Sequence, residues 1–262
     1  MIEPIVFFPG CMPVSIARHQ YRAEQKLLKK LDIPYFECPE FSCCGGGHLQ
    51  DADEEKFLAL NARNLAYAEQ HGEVIVTGCS TCYRNLAETA FVLNDDGKRE
   101  TVNAKLKAVG APEYRGKIRI RHMLNFLASP EIFSLLEDLS SSPRPVNVMP
   151  FYGCHIKRPS ARLPESPDGN LEKLLTLCGY LVRPMRDPYI CCGFHGEITA
   201  PPVSEALSLS IPAEAAEQQC PIIATVCPLC AFNIESHLLR VKSITKQPSV
   251  VPFEELLLMS LK

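Results

Sequence analysis

The sequence predicts an α/β protein built as two pseudo-symmetric, duplicated halves, each a mostly parallel sheet flanked by helices. Three observations carry the prediction. The cysteines fall in one pattern twice, the apolar runs that precede them recur with them, and each short β-branched run is followed by a stretch of helical period.

Strands and helices alternate along the chain. Residues 5–8 (Ile-Val-Phe-Phe) read as a first buried strand, ending in Pro9-Gly10-Cys11. Helical periodicity then runs over 15–31 and 57–71, a strand over 74–77, and a helix over 82–93. The second half repeats the order, with a strand over 146–152, a helix over 171–181 and a strand over 222–226. Residues 139–149 form a Ser/Pro-rich link, which divides the chain into halves 1–145 and 146–262. The polar, Pro-rich segment 159–170 reads as a mobile loop. Strands alternating with helices imply a parallel sheet, whose functional groups collect at the carboxyl ends of its strands.

Composition excludes several classes. The 262 residues carry 27 basic and 30 acidic side chains, a net charge of −3, with no Lys/Arg stripe for nucleic acid. The N-terminus lacks a basic region ahead of a long apolar run, and no segment has the roughly 18 continuous apolar residues that a membrane span needs. The expectation is a cytoplasmic protein with no direct membrane insertion. Thirteen cysteines, an odd number in a large chain without an export signal, point to metal binding or redox chemistry rather than a disulfide scaffold.

The first cysteine set is Cys11, Cys43-Cys44 and Cys79-x-x-Cys82; the second is Cys154, Cys191-Cys192 and Cys227-x-x-Cys230. In both, 34 residues separate the vicinal pair from the C-x-x-C. Cys38, Cys178 and Cys220 have no counterpart and read as compact core residues. A single C-x-x-C would serve a zinc ribbon, a thioredoxin-like pair or a cluster. Structural zinc wants four tetrahedral ligands, which adjacent cysteines supply poorly and a fifth thiol exceeds. Several irons a few ångströms apart suit a vicinal pair better, although ordinary cubanes take four cysteines. Cys79-Ser80-Thr81-Cys82 at a helix N-terminus fits a redox pair, but that reading leaves the recurrence of the whole set unexplained.

Six motifs carry a specific resemblance: F-P-G-C at 8–11, C-C-G-G-G at 43–47, G-C-S-T-C at 78–82, Y-G-C-H at 152–155, C-C-G-F-H-G at 191–196 and C-P-L-C at 227–230. Over nearly its whole length the chain resembles the B subunit of heterodisulfide reductase and its relatives with paired cysteine-rich CCG domains. The resemblance implies a pseudo-symmetric α/β fold with two non-cubane [4Fe–4S] clusters. One would use Cys11, Cys43, Cys44, Cys79 and Cys82, the other Cys154, Cys191, Cys192, Cys227 and Cys230. It implies reductive cleavage, or oxidative formation, of a disulfide between thiols or sulfur carriers lying between the clusters. Some relatives hold zinc in one site, an alternative cofactor here, yet this sequence has lost no cysteine. Relatives also serve as electron-transfer subunits of lactate, glycolate or succinate dehydrogenase complexes, which is the alternative function.

Residues beside the cysteines complete the reading. The glycines around them form tight turns and let backbone N–H groups approach sulfur. His155 and His195 are the candidate catalytic residues, as proton donors to a leaving thiolate, with His48, Lys157 and Arg158 nearby. His122 reads as a helix cap or packing residue. Neither a ferredoxin C-x-x-C-x-x-C run nor a G-x-G-x-x-G fingerprint is present, so electrons are expected from a ferredoxin-like iron–sulfur subunit. Residues 251–261 read as a short terminal helix that either docks that partner or packs on its own domain.

Overall fold

The apolar runs become strands in two separate sheets. The protein is described by a computed structural model over residues 2–140, 145–157, 162–241 and 247–262. The first half holds β1 (Ile5–Phe7), β2 (Tyr35–Phe36), β3 (Val74–Thr77) and β4 (Arg119–His122), all parallel in the order β2-β1-β3-β4. The second holds β5 (Asn147–Phe151), β6 (Leu181–Val182), β7 (Ile222–Thr225) and β8 (Ser249–Pro252) in the order β6-β5-β7-β8. The register repeats too: Val6 stands opposite Ile75, and its equivalent Met149 opposite Ile223. The central strands are buried along nearly their whole length, as parallel strands covered on both faces must be.

Helices link the strands. α1 (Cys11–Ser15) and α2 (Arg18–Lys30) follow β1; α3 (Leu49–Ala52) and α4 (Glu54–Ala68) follow β2; α5 (Ser80–Val92) and α6 (Asp96–Ala108) follow β3; α7 (Met123–Leu127) and α8 (Pro130–Leu139) follow β4. In the second half α9 (Cys154–Lys157) and α10 (Asn170–Leu177) follow β5, a 3-10 turn at Phe194–Gly196 and α11 (Pro201–Glu217) follow β6, α12 (Pro228–Leu238) follows β7 and α13 (Phe253–Ser260) follows β8.

The structure adjusts several expected boundaries. The helix expected over 15–31 is α2, which starts only at Arg18 because the chain leaves α-helical geometry at Ala17; Ser15 closes the separate α1. Predicted helix 171–181 stops at Leu177, because Gly179 takes a φ of 78° and the Tyr180 N–H returns to the Leu175 carbonyl at 3.1 Å. That turn releases Leu181 to pair with Asn147 as β6. The C-terminal helix packs on α2 of the first half and buries Phe253, Leu256 and Leu257 there, so its apolar face is used within the chain. Residues 159–161 of the expected mobile loop, and Arg158 before it, lie outside the described residues. The remainder of that loop is tied down: Arg162 pairs with Glu88, Glu165 with Arg121 at 2.7 Å and Asp168 with Lys157 at 2.5 Å.

Candidate metal centre

All four of the central strands release a cysteine at their carboxyl ends. β1 runs into Cys11, β3 into Cys79, β5 into Cys154 and β7 into Cys227. Cys79 and Cys227 are the N-caps of α5 and α12, and the second cysteine of each C-x-x-C, Cys82 and Cys230, lies one turn on. The vicinal pairs come from the loops after the edge strands β2 and β6.

Both sets then assemble in the same way. The Cys43 and Cys11 sulfurs are 3.5 Å apart and those of Cys191 and Cys154 3.6 Å. The Gly45 N–H reaches the Cys43 sulfur at 3.4 Å, and the Gly193 N–H reaches that of Cys191 at 3.3 Å. Cys44 sits 3.3 Å from Cys82, and Cys192 faces Cys230 in the same fashion. Gly10 and Gly153 hold φ values of 77° and 74°, and a Cβ on either would press on the sulfur of Cys82 or Cys230. None of the thirteen cysteines is joined in a disulfide. The Cys79 and Cys227 thiols meet, so the two sets adjoin across the pseudo-twofold junction.

The electrostatics are those of crowded thiols. Cys43 is lowered to about 2 by hydrogen bonds from Cys11 and Cys44 and from the Gly45 and Gly46 N–H groups, while the bond to Cys43 and then burial push Cys11 up. Cys79, Cys82 and Cys230 are also pushed up by neighbouring thiols and by burial. Such a set keeps most of its protons until a cation replaces them. Among the described residues no group of three or more His, Cys, Asp or Glu side chains is arranged around a single metal ion. The thiols stand instead in successive close pairs. Donors that are all thiols, spread over several ångströms, fit a group with several irons better than one small ion.

Sequence reasoning missed the residues that hold these loops. Asn85 Nδ2 donates to the Cys44 carbonyl at 3.1 Å and to the Gly46 carbonyl at 2.6 Å; Asn233 Nδ2 donates to the Cys192 carbonyl at 2.7 Å. Both are buried one turn beyond a C-x-x-C, so C-x-x-C-x-x-N recurs in both copies and was the available signal. Because these amides fix the vicinal ligands from outside the thiol set, Asn85→Ala and Asn233→Ala are each expected to weaken metal retention by roughly 10–100-fold in chelator competition. Unchanged retention would reduce them to ordinary buried amides.

A second link joins the halves. His122 caps α7 by accepting the Leu124 N–H at its Nδ1 (3.1 Å), so its other nitrogen carries the proton toward Ser80 Oγ at 3.3 Å. Ser80 Oγ in turn donates to the carbonyl of Val226, the residue before Cys227, at 3.2 Å. Burial lowers His122 to about 4, so this relay is neutral.

The candidate catalytic histidines lie beside the second set. His155 Nδ1 is 3.0 Å from Thr81 Oγ1 of the other half, and its ring stacks on His195 at 4.8 Å between centroids. His48 meets His195 edge-on at 5.6 Å. His195 Nε2 is buried with no hydrogen-bond partner. Burial lowers His155 to about 4 and also lowers His195. Cys38, Cys178 and Cys220 are buried elsewhere; the Cys38 thiol turns to the Glu40 carboxylate at 3.0 Å, and Cys178 packs in the main core.

Comparison with known proteins agrees with this doubled site. A cysteine-rich CCG domain model matches residues 5–87 and 148–235, and the chain belongs to that family. It is 30% identical over 255 residues to the 8-methylmenaquinol:fumarate reductase membrane anchor subunit of Wolinella succinogenes, covering 96% of this chain and 89% of that one. It is 28% identical over 242 residues to the B subunit of the ferredoxin/F(420)H(2)-dependent CoB-CoM heterodisulfide reductase of Methanosarcina acetivorans, covering 89% and 80%. The B subunit of the ferredoxin:CoB-CoM heterodisulfide reductase of Methanosarcina mazei is 29% identical over 219 residues, covering 79% and 71%. The fold is shared with a crystal structure of a hypothetical protein from Helicobacter pylori, at TM-score 0.75 and 15% identity. That match covers 98% of this chain, which spans about half (48%) of the solved one. Among the described residues no helix is long and apolar enough to cross a membrane.

Proposed function

We propose that this chain is the iron–sulfur catalytic subunit of a heterodisulfide-reductase-type oxidoreductase. It reductively cleaves, or oxidatively forms, a disulfide between thiols or sulfur carriers. Cys11, Cys43, Cys44, Cys79 and Cys82 would hold one non-cubane [4Fe–4S] cluster, and Cys154, Cys191, Cys192, Cys227 and Cys230 the other. The observation that carries the reading is the pair of complete five-thiol sets, alike in geometry and adjoining at Cys79 and Cys227. When bound, two such groups supply one electron each, which suits a two-electron bond cleavage.

The protein's own side chains position the ligand and handle protons. His155, held by Thr81, and His195, with its buried free nitrogen, are the proposed proton-handling residues. Burial, which lowers both rings, favours their neutral forms, which would offer N–H groups to sulfur; the charges of the nearby Cys227 and Cys191 oppose that downward shift. Electrons would come from a separate ferredoxin-like subunit, in the cytoplasm, because the chain carries neither a ferredoxin motif nor a dinucleotide fingerprint.

The test is anaerobic reconstitution, metal analysis and turnover. The expected protein is brown, holds about eight irons per chain and reduces a disulfide with an artificial dye as donor but not with NADH. Little iron, with about one or two zincs per chain, would overturn the reading. The likeness to a fumarate reductase subunit over 96% of the chain favours a second reading, an electron-transfer subunit of a dehydrogenase complex. A fully loaded protein that passes electrons yet cleaves no disulfide decides for that one.

A further inference from the structure

Two buried carboxyls lie where the halves meet, and the fold itself does not require them. Glu24 on α2 and Glu254 on α13 are fully buried, and these helices pack on each other. Glu24 Oε1 accepts from Gln20 Nε2 at 3.1 Å, whereas Glu24 Oε2 and both Glu254 oxygens have no hydrogen-bond partner. Burying a carboxyl without partners costs stability, so each such group calls for a reason.

The duplication shows that the reason is not packing. Strand register sets Thr77 opposite His122 and Thr225 opposite Pro252. Two positions past those partners the first half has Leu124 and the second has Glu254, both fully buried. The turn that carries Val226 ahead of Cys227 carries Gly78 ahead of Cys79, and a Cβ on Gly78 would overlap the Glu24 carboxyl. One half gives up an apolar side chain and the other gives up a Cβ. Both changes bring carboxyls beside the turns that carry the thiols.

We propose that Glu24 and Glu254 form a redox-linked proton site, which binds a proton as an electron enters the group held by the thiol sets. The inference rests on the iron–sulfur part of the reading above and assigns a place to the proton that accompanies the electron. Glu254 lies close enough to Glu24 and Cys227 for their charges to act on it. An electron added beside a carboxylate in the same low-dielectric interior repels it, and proton uptake removes that repulsion. The charges that act on the pair are those of Glu37, Glu255 and Cys227, all negative when ionised, so a proton is the neutralising charge at hand. None of the four carboxyl oxygens bonds a cysteine; the coupling is through charge. Glu255, half-buried with one oxygen unpaired, acts on both Glu254 and the exposed Glu235, beside which His19 stands, so titratable groups lead outward to solvent.

The step balances simply: a reduced viologen dye gives one electron, water gives one proton, the carboxylate becomes a carboxylic acid, and no other bond changes. Anaerobic full-length holoprotein would be titrated with that dye under EPR from about pH 6.5 to about pH 9, with iron content checked at each pH. The reduction potential should stay level in the acid part of the range and fall above about pH 8, where the pair is ionised in the oxidised protein and takes up a proton on reduction. The full slope is tenfold in the reduction equilibrium per pH unit, about 59 mV for one electron. The two carboxyls titrate as a pair, so the slope belongs to both. Glu24→Gln combined with Glu254→Gln should hold the same iron and keep a level potential throughout. Glu254→Leu, which installs the residue of the other half, should flatten the slope as well and decides the matter if the double variant takes up too little iron. A level potential in the wild type, or a slope that these variants keep, overturns the inference and leaves the iron–sulfur reading intact. A protein with no one-electron couple at any pH overturns that reading and the inference with it.

Discussion

Cys44→Ser and Cys192→Ser are each expected to remove the metal of one half and leave the other half loaded, so that iron falls to about half of the wild-type content. Each of these cysteines is the buried member of its vicinal pair, 2% and 3% exposed, and each faces the far cysteine of the C-x-x-C. A hydroxyl keeps the volume but does not ionise as a thiol does, and it is a harder donor than an iron–sulfur group takes. Since metal binding free energy is partly folding free energy, the affected half should also loosen. Asn61 and Asn85 bond the Cys44 carbonyl, which limits that loosening to the loop. Cys38→Ser, Cys178→Ala and Cys220→Ser should retain all iron. Iron quantitation and EPR on anaerobic protein decide it, and iron loss in any of the last three would break the ligand assignment.

How far the sequence reveals this molecule depends on which face of each element is buried. The strands at 5–8, 74–77, 146–152 and 222–226 were legible because they are central, and burial on both faces demands continuous apolar runs. The four edge strands were not. Arg119–His122 alternates exposed and buried residues within Arg-Ile-Arg-His, Tyr35–Phe36 and Leu181–Val182 have two residues each, and Ser249–Pro252 ends in a proline that read as a helix start. Of the site, the thiol spacing was legible because ligand chemistry fixes residue type. The supporting shell was less so: the repeat of C-x-x-C-x-x-N marks Asn85 and Asn233 as a recurring pair but not their carbonyl partners, and Ser80 and Thr81 act through the other half, so these contacts are known only once the chain has folded. Glu24 and Glu254 show this most plainly, since each lies in an ordinary amphipathic helix and gains its meaning from the other.

Those two carboxyls should make the fold alkali-sensitive, and Glu24→Gln or Glu254→Gln should relieve it. Glu24 on α2 and Glu254 on α13 are both fully buried where the two helices pack. Gln20 Nε2 donates to Glu24 Oε1 and to the Gly78 carbonyl, each at 3.1 Å, while Glu24 Oε2 and both Glu254 carboxyl oxygens have no partner. Burial, then the charge of Glu37, outweighs the Gln20 bond and raises Glu24 from 4.5 to about 8; burial and the charge of Glu24 push Glu254 up as well. A carboxyl whose folded pKa lies above its unfolded value binds its proton more tightly in the native state. Its stabilisation is therefore complete below about pH 4 and is lost as pH rises through about 8. Glutamine keeps the shape without the charge, and its amide can donate to the unpaired oxygens opposite. Thermal unfolding of the anaerobic holoprotein should show each variant melting higher than wild type at pH 8.5 and close to it at pH 5. An alkaline decline as steep in the variants as in wild type would place the sensitivity elsewhere. Gly78 leaves no slack behind the pair, since a Cβ there would stand 1.7 Å from Glu24 Oε1. Ionising the pair at high pH therefore strains the turn that carries Cys79 as well as the helix contact, and metal retention by the first set should decline over the same pH range as the melting temperature.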